Sequence, residues 1–260
     1  MVWSSRASRC NKINRVKGGL REQYGIKDLG DASCILGIDH VRRPDGSVFL
    51  SQRAYLETVL ARLGQANCHP ASTPMIPNQQ LVPAPVDSDD DPQLRRRYLQ
   101  AVGSLMYAML GTRPDLAHAV GVLGRFSSRP SQEHWAAVVR ACQYIKGTLD
   151  LGLLYSSTDS PLGGFGAYSD SDWGACPTTS RSTMGFAFVL AGGAVSWSSR
   201  LQLRVAASST EAEYLGLSHA GKEAIFLSQL LGELGHPLPS PLLLRGDNQG
   251  ANALARDPQF

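Results

Sequence analysis

The chain has 260 residues, 43% of them hydrophobic and 18% charged, with a formal net charge of +3. That is enough for one large domain or two modest ones with a real core, and it is too apolar for a disordered chain. So small a net charge names no partner, and no apolar run approaches the roughly 20 residues of a membrane span. The five cysteines are scattered without a C-x-x-C pair, which speaks against zinc clusters and a disulfide framework. The opening MVWSSRASRC lacks the apolar stretch of a secretory signal. A soluble, cytoplasmic or nuclear protein with reduced thiols is therefore expected.

Taken in order, residues 1–30 carry seven Lys/Arg against Glu22 and Asp28. A basic arm of this kind fits a nucleic-acid backbone, and it equally fits a solvated end. CILGIDHV (34–41) and SVFLS (47–51), separated by a Pro-Asp-Gly turn, read as a β-hairpin. Ser51 is placed to cap a helix that Gly64 ends. Residues 71–92 hold five prolines and four aspartates and read as a linker or surface loop. Three helical segments follow, opened by Pro92, by Pro114 and by Ser131, the last stopping at Gly147. LGLLYS (151–156) reads as a strand, and a Gly/Ser-rich boundary covers 156–166. Three short strands then precede a long helix, TEAEYLGLSHAGKEAIFLSQLLGELG, and a final strand and helix start, PLLLRGD and NQGANALA. The order β-β-β-α-β-α predicts a mixed α/β layer.

Candidate chemistry begins at AYSDSDWGAC (167–176), where Asp170 and Asp172 would share one face of a strand. In the long helix, Ser208 and Glu211 fit a capping box. The apolar stripe Leu231, Leu227, Ala224, Ala220, Leu217 reaches Glu213 at its next position. A carboxylate on that buried face is costly unless it is paired or holds a metal, so Glu213 is the informative acid. Asp247 ends the last strand, where an N-cap is the ordinary role. A strand aspartate, a first-turn glutamate and a strand-end aspartate can nevertheless converge on one sheet edge. Oxygen-only ligands suit Mg²⁺ or Mn²⁺, and two such ions about 3.5–4 Å apart would serve phosphodiester hydrolysis. An EF-hand fails, because Ala175 and Arg181 stand where its Gly and Glu belong. The six histidines are scattered and read as packing or surface residues.

The chain resembles the C-terminal part of copia-type LTR retrotransposon polyproteins. The matching stretches include LSQRAYLE, YLQAVGSLMYAMLGTRPDLAHAV, HWAAVVRACQYIKGTLDLGLLY, YSDSDWG, STMGFAFVLAGGAVSWSSR, ASSTEAEY and DNQGANALA. The resemblance implies a reverse transcriptase palm-end and thumb-like remnant over 1–92 and connection-like helices over 93–160. It implies a ribonuclease H-like domain over 161–260, with a mixed sheet and a long helix. By motif match, Asp170, Glu213 and Asp247 are the catalytic, metal-binding carboxylates, with Asp172 an accessory at best. The partner implied is an RNA–DNA hybrid, with no membrane and no small-molecule cofactor. The paired aspartates of the polymerase palm match nothing in this sequence, so polymerase activity is expected to be absent. The family's last strand and helix, and a fourth carboxylate, lie beyond the position matching Phe260, so nuclease activity is expected to be impaired. The alternative expectation is a non-catalytic nucleic-acid binder, using the basic arm with Arg181, Arg200 and Arg204, or an inactive relic.

Overall fold

A computed structural model describes residues 2–27, 30, 33–85, 91–156, 165–238 and 241–257, with side chains from residue 13 onward. Most of the Gly/Ser-rich boundary at 156–166, and Asp89 and Asp90 of the Asp/Pro-rich loop, lie outside the described residues. The chain divides into two units, residues 1–35 and 36–260.

The first unit holds helix α1 (Val2–Tyr24) and a two-residue strand, β1 (Cys34–Ile35). Sequence reading assigned the basic arm no element. Residues 13–24 form a helix whose positions are all exposed or half-buried, so there is no apolar stripe to betray it.

In the second unit, β2 (Ile38–Arg42) and β3 (Val48–Ser51) form the expected hairpin, with Asp39 opposite Ser51 and Arg42 opposite Val48. β4 (Leu153–Tyr155) adds antiparallel to β3. Ser51 does not cap the next helix, α2 (Arg53–Arg62). It stays in the ladder opposite Asp39, and Gln52 takes the cap position without a side-chain bond. The Gln52 side chain is instead fully buried, accepting a 3.0 Å bond from Thr112 Oγ1. Gly64 ends α2 as expected, at a φ of +71° that suits glycine.

α3 (Pro92–Gly111) starts where Asp91 caps it, its carboxylate accepting from Gln93 and Leu94 N–H at 2.9 and 3.0 Å. A 3₁₀ turn (Pro114–Leu116) leads into α4 (Ala117–Gly124). Ser131 caps α5 (Gln132–Gly147) in a reciprocal box with His134. These helices and α2 close around Leu56, Leu60, Tyr98, Leu105, Leu123 and Ile145. Each such side chain contributes about 1.5–3 kcal/mol on burial. Arg113 lies fully buried at the seam, bonded to Asp115 and Thr148 and set over the Tyr144 ring.

The second sheet has the order β7 (Gly193–Leu201), β6 (Thr183–Leu190), β5 (Gly166–Ser171), β8 (Leu244–Arg245). β7, β6 and β5 are antiparallel neighbours, while β8 runs parallel to β5. Along β6 the buried positions alternate, Met184, Phe186 and Phe188. The two phenylalanines meet Ala220, Ala224 and Leu227 of α6 (Ser209–Glu233) in a second core. α7 (Gln249–Arg256) follows β8. The two cores meet within the unit: Trp197 Nε1 donates to Met109 O at 3.1 Å, and Tyr155 Oη to Ala194 O at 2.6 Å. The class is the mixed α/β layer expected, and among the described residues no helix is long and apolar enough to cross a membrane.

Candidate metal centre

Three elements bring the three predicted carboxylates together. β5 and β8 are parallel, with Ala167 opposite Leu244 and Tyr168 opposite Arg245. Carrying that register two residues onward sets Asp170 beside Asp247 at the C-terminal ends of both strands. α6 crosses β5 unusually closely, because Gly216 has no side chain. A methyl there would stand 2.4 Å from Ser171 Oγ and 3.2 Å from Ser169 Oγ. This approach carries the N-terminal part of α6, with Glu213 just past the first turn, to the end of β5.

The result is a cluster in which Asp170, Glu213 and Asp247 each offer a carboxylate oxygen, all within 4.8 Å of one another. Glu213 is 7% exposed, and the two aspartates are exposed. Burial, followed by the negative charge of Asp170, pushes the Glu213 carboxyl up to about 7; Asp247 adds to the rise and the Ser171 N–H opposes it. A carboxylate so placed favours a neighbouring cation, and the donor set is oxygen only. Hard divalent ions that keep several waters, Mg²⁺ and Mn²⁺, match it best.

Asp247 is also freed from its ordinary role. The N-cap of α7 is Asn248, whose side chain accepts from Ala251 N–H at 2.9 Å. The sequence signal for this is Asn248 itself, since asparagine caps a helix as well as aspartate does.

Asp172 does not share the site. β5 ends at Ser171, and the chain turns so that the Asp172 carboxylate accepts from Thr183 N–H at 2.8 Å and Ala175 N–H at 3.4 Å. Its own N–H donates to Thr183 O. The expectation that both aspartates face one way holds only for a strand that continues, and this one stops between them. Asp172 clamps the loop. Trp173 Nε1 makes a second clamp, donating to Ala206 O at 3.1 Å, just ahead of α6. Ser208 caps that helix at Glu211 N–H, but the Glu211 carboxylate reaches Ala207 N–H rather than closing the box on Ser208. His134 and His219 are packing residues, the first stacked on Phe126 at 4.0 Å and the second tilted against Phe186 at 4.9 Å.

Fold and cluster together define a mixed α/β protein with a carboxylate trio at the end of two parallel strands. The chain is 42% identical over 228 residues to a retrovirus-related Pol polyprotein from transposon TNT 1-94 of Nicotiana tabacum, covering 86% of this chain and 17% of the polyprotein. It is 36% identical over 241 residues to one from transposon RE2 of Arabidopsis thaliana, covering 93% of this chain and 16% of that one. A putative transposon Ty5-1 protein of Saccharomyces cerevisiae is 30% identical over 213 residues, 81% of this chain and 67% of the yeast protein. The chain belongs to the family of retrovirus-related Pol polyproteins of copia-type transposons. It spans about one sixth of the length of the plant polyproteins it matches. No protein-family model matches the chain, and no solved structure matches it significantly.

Proposed function

We propose that this Pol fragment carries a ribonuclease H-like domain over 161–260, acting on the RNA strand of RNA–DNA hybrids. Residues 1–92 are then the palm-end and thumb-like remnant of a reverse transcriptase and 93–160 its connection-like helices, and polymerase chemistry forms no part of the proposal. The observation that carries the reading is the convergence of Asp170, Glu213 and Asp247 from β5, α6 and the end of β8. Their oxygen donors fit a divalent cation, which when bound would supply Lewis acidity and a more acidic water for phosphodiester hydrolysis.

The chain's own residues set the geometry. Glu213 is anchored by burial and by the Ser171 N–H, so its carboxylate has little freedom to turn away. Asp170 and Asp247 stand exposed beside it, where a phosphate backbone has access. Near neutral pH the raised Glu213 carboxyl is partly protonated, and it has to release that proton to ligate. The test is incubation of the full chain with Mg²⁺ and a hybrid labelled on the RNA strand, beside single-stranded RNA and duplex DNA. Internal cuts confined to the RNA of the hybrid, and abolished by EDTA, are expected. Intact RNA throughout contradicts the reading.

A further inference from the structure

Around α6 from the trio lies a groove of about 540 Å³ between the helix and the β7 edge of the sheet. Three cations line it: Arg200 at the end of β7, Arg204 in the following loop, and Lys222 on α6. Among the described residues Arg200 and Lys222 form no ion pair, and Arg204 meets Glu211 only at 3.9 Å. The one acid of the groove, Glu223, is engaged by Ser196, whose hydroxyl donates to it at 2.7 Å. Burial, then Arg200, lowers the pKa of His219, with Glu223 opposing and Lys222 adding, so charge on that ring is disfavoured. The groove thus holds an uncompensated positive surplus.

A second feature points to a ligand independently of charge. Gln202 lines the groove at 2% exposure; its Nε2 donates to Ala212 O at 2.9 Å, and its Oε1 has no partner. A buried acceptor without a donor is unfavourable, and a ligand that supplies the donor relieves it. Leu203 and Leu215 supply apolar wall beside it. Cations for a phosphate, an orphan acceptor for a hydroxyl or amine, and apolar wall for a sugar or base together describe one nucleotide unit.

We propose that this groove is a second nucleic-acid contact, separate from the carboxylate trio, which holds a backbone phosphate with Arg200, Arg204 and Lys222. Gln202 Oε1 takes a hydroxyl or amine of the same nucleotide. The inference rests on the nucleic-acid reading above, but its test is separable from catalysis.

Binding of a fluorescent 18-base-pair RNA–DNA hybrid to the full chain is measured in EDTA, where no cleavage intervenes, across a salt series. R200Q together with K222Q, both exposed positions, is expected to weaken binding about tenfold at 0.1 M salt and to flatten the log–log salt slope by about one to two. AMP at millimolar concentration is expected neither to displace the hybrid nor to shield Lys222 from acetylation, whereas the hybrid does shield it. Unchanged affinity and slope in the double variant overturn the site. Shielding of Lys222 by AMP but not by the hybrid overturns the backbone assignment in favour of a free nucleotide. If Mg²⁺ yields no cleavage while groove-dependent binding persists, the nuclease reading falls and this site stands.

Discussion

Glu213 is the residue on which the account turns, because it is a carboxylate buried beside two others. Its folded-state pKa of about 7 lies above the ordinary 4.5. A raised pKa means that folding favours the protonated form. The stability it contributes is present in full below about pH 4.5 and is lost as pH rises through 7. At about 1.4 kcal/mol per unit, the metal-free chain should lose about 3 kcal/mol from this group between pH 4.5 and 8. Urea unfolding in EDTA at the two pH values checks this, with E213Q showing a flatter profile. Millimolar Mg²⁺ should restore stability at pH 8 in the parent and not in E213Q. The neighbouring aspartates separate in the same way. D172A should lower stability by about 1–3 kcal/mol, through loss of its loop bonds, while leaving Mn²⁺ affinity unchanged. D170N should do the reverse, with calorimetric Mn²⁺ titration as the readout.

At the scale of elements, the site exists because three secondary structures end or begin at one place. Gly216 sets the approach of α6 to β5, and Asn248 sets where α7 starts. Asn248→Ala should cost about 1 kcal/mol through the lost cap. It should also weaken Mn²⁺ binding, because Asp247 is the residue immediately before that cap; thermal melts and calorimetry on one preparation test both. Much of this level was legible in the sequence. The period of the α6 stripe singled out Glu213. What was not legible has physical reasons. Where β5 stops depends on the Asp172–Thr183 bonds across eleven residues, which no local pattern reports. Ser51 looked like a cap because its ladder partner Asp39 is remote in sequence. The groove on the β7 flank draws on a strand, a loop and the far face of a helix. Only the fold brings Arg200, Gln202 and Lys222 together, although Arg200 and Arg204 already stood out as basic residues.

For the whole molecule, the helical core and the carboxylate-bearing sheet belong to one unit. They are tied by Trp197 to Met109 and by Tyr155 to Ala194. Arg113, itself fully buried and bonded to the exposed Asp115 and the half-buried Thr148, lies in the helical part, remote in sequence from the trio. Removing the guanidinium forfeits its charge-assisted hydrogen bonds, about 1.5–3 kcal/mol, while the exposed Asp115 carboxylate returns to water. Arg113→Ala should therefore lower the unfolding midpoint seen by circular dichroism and by tryptophan fluorescence alike. Two separated transitions would show that the helical core and the sheet unfold independently.

The central claim is that Asp170, not Asp172, belongs to a cation site that cleaves the RNA of a hybrid. The direct measurement sets the parent chain, D170N and D172N side by side on one labelled RNA–DNA hybrid in Mg²⁺, at pH 8. The expected result is cleavage by the parent and by D172N and none by D170N. Cleavage by D170N at the parent rate, or no cleavage by the parent, would contradict it.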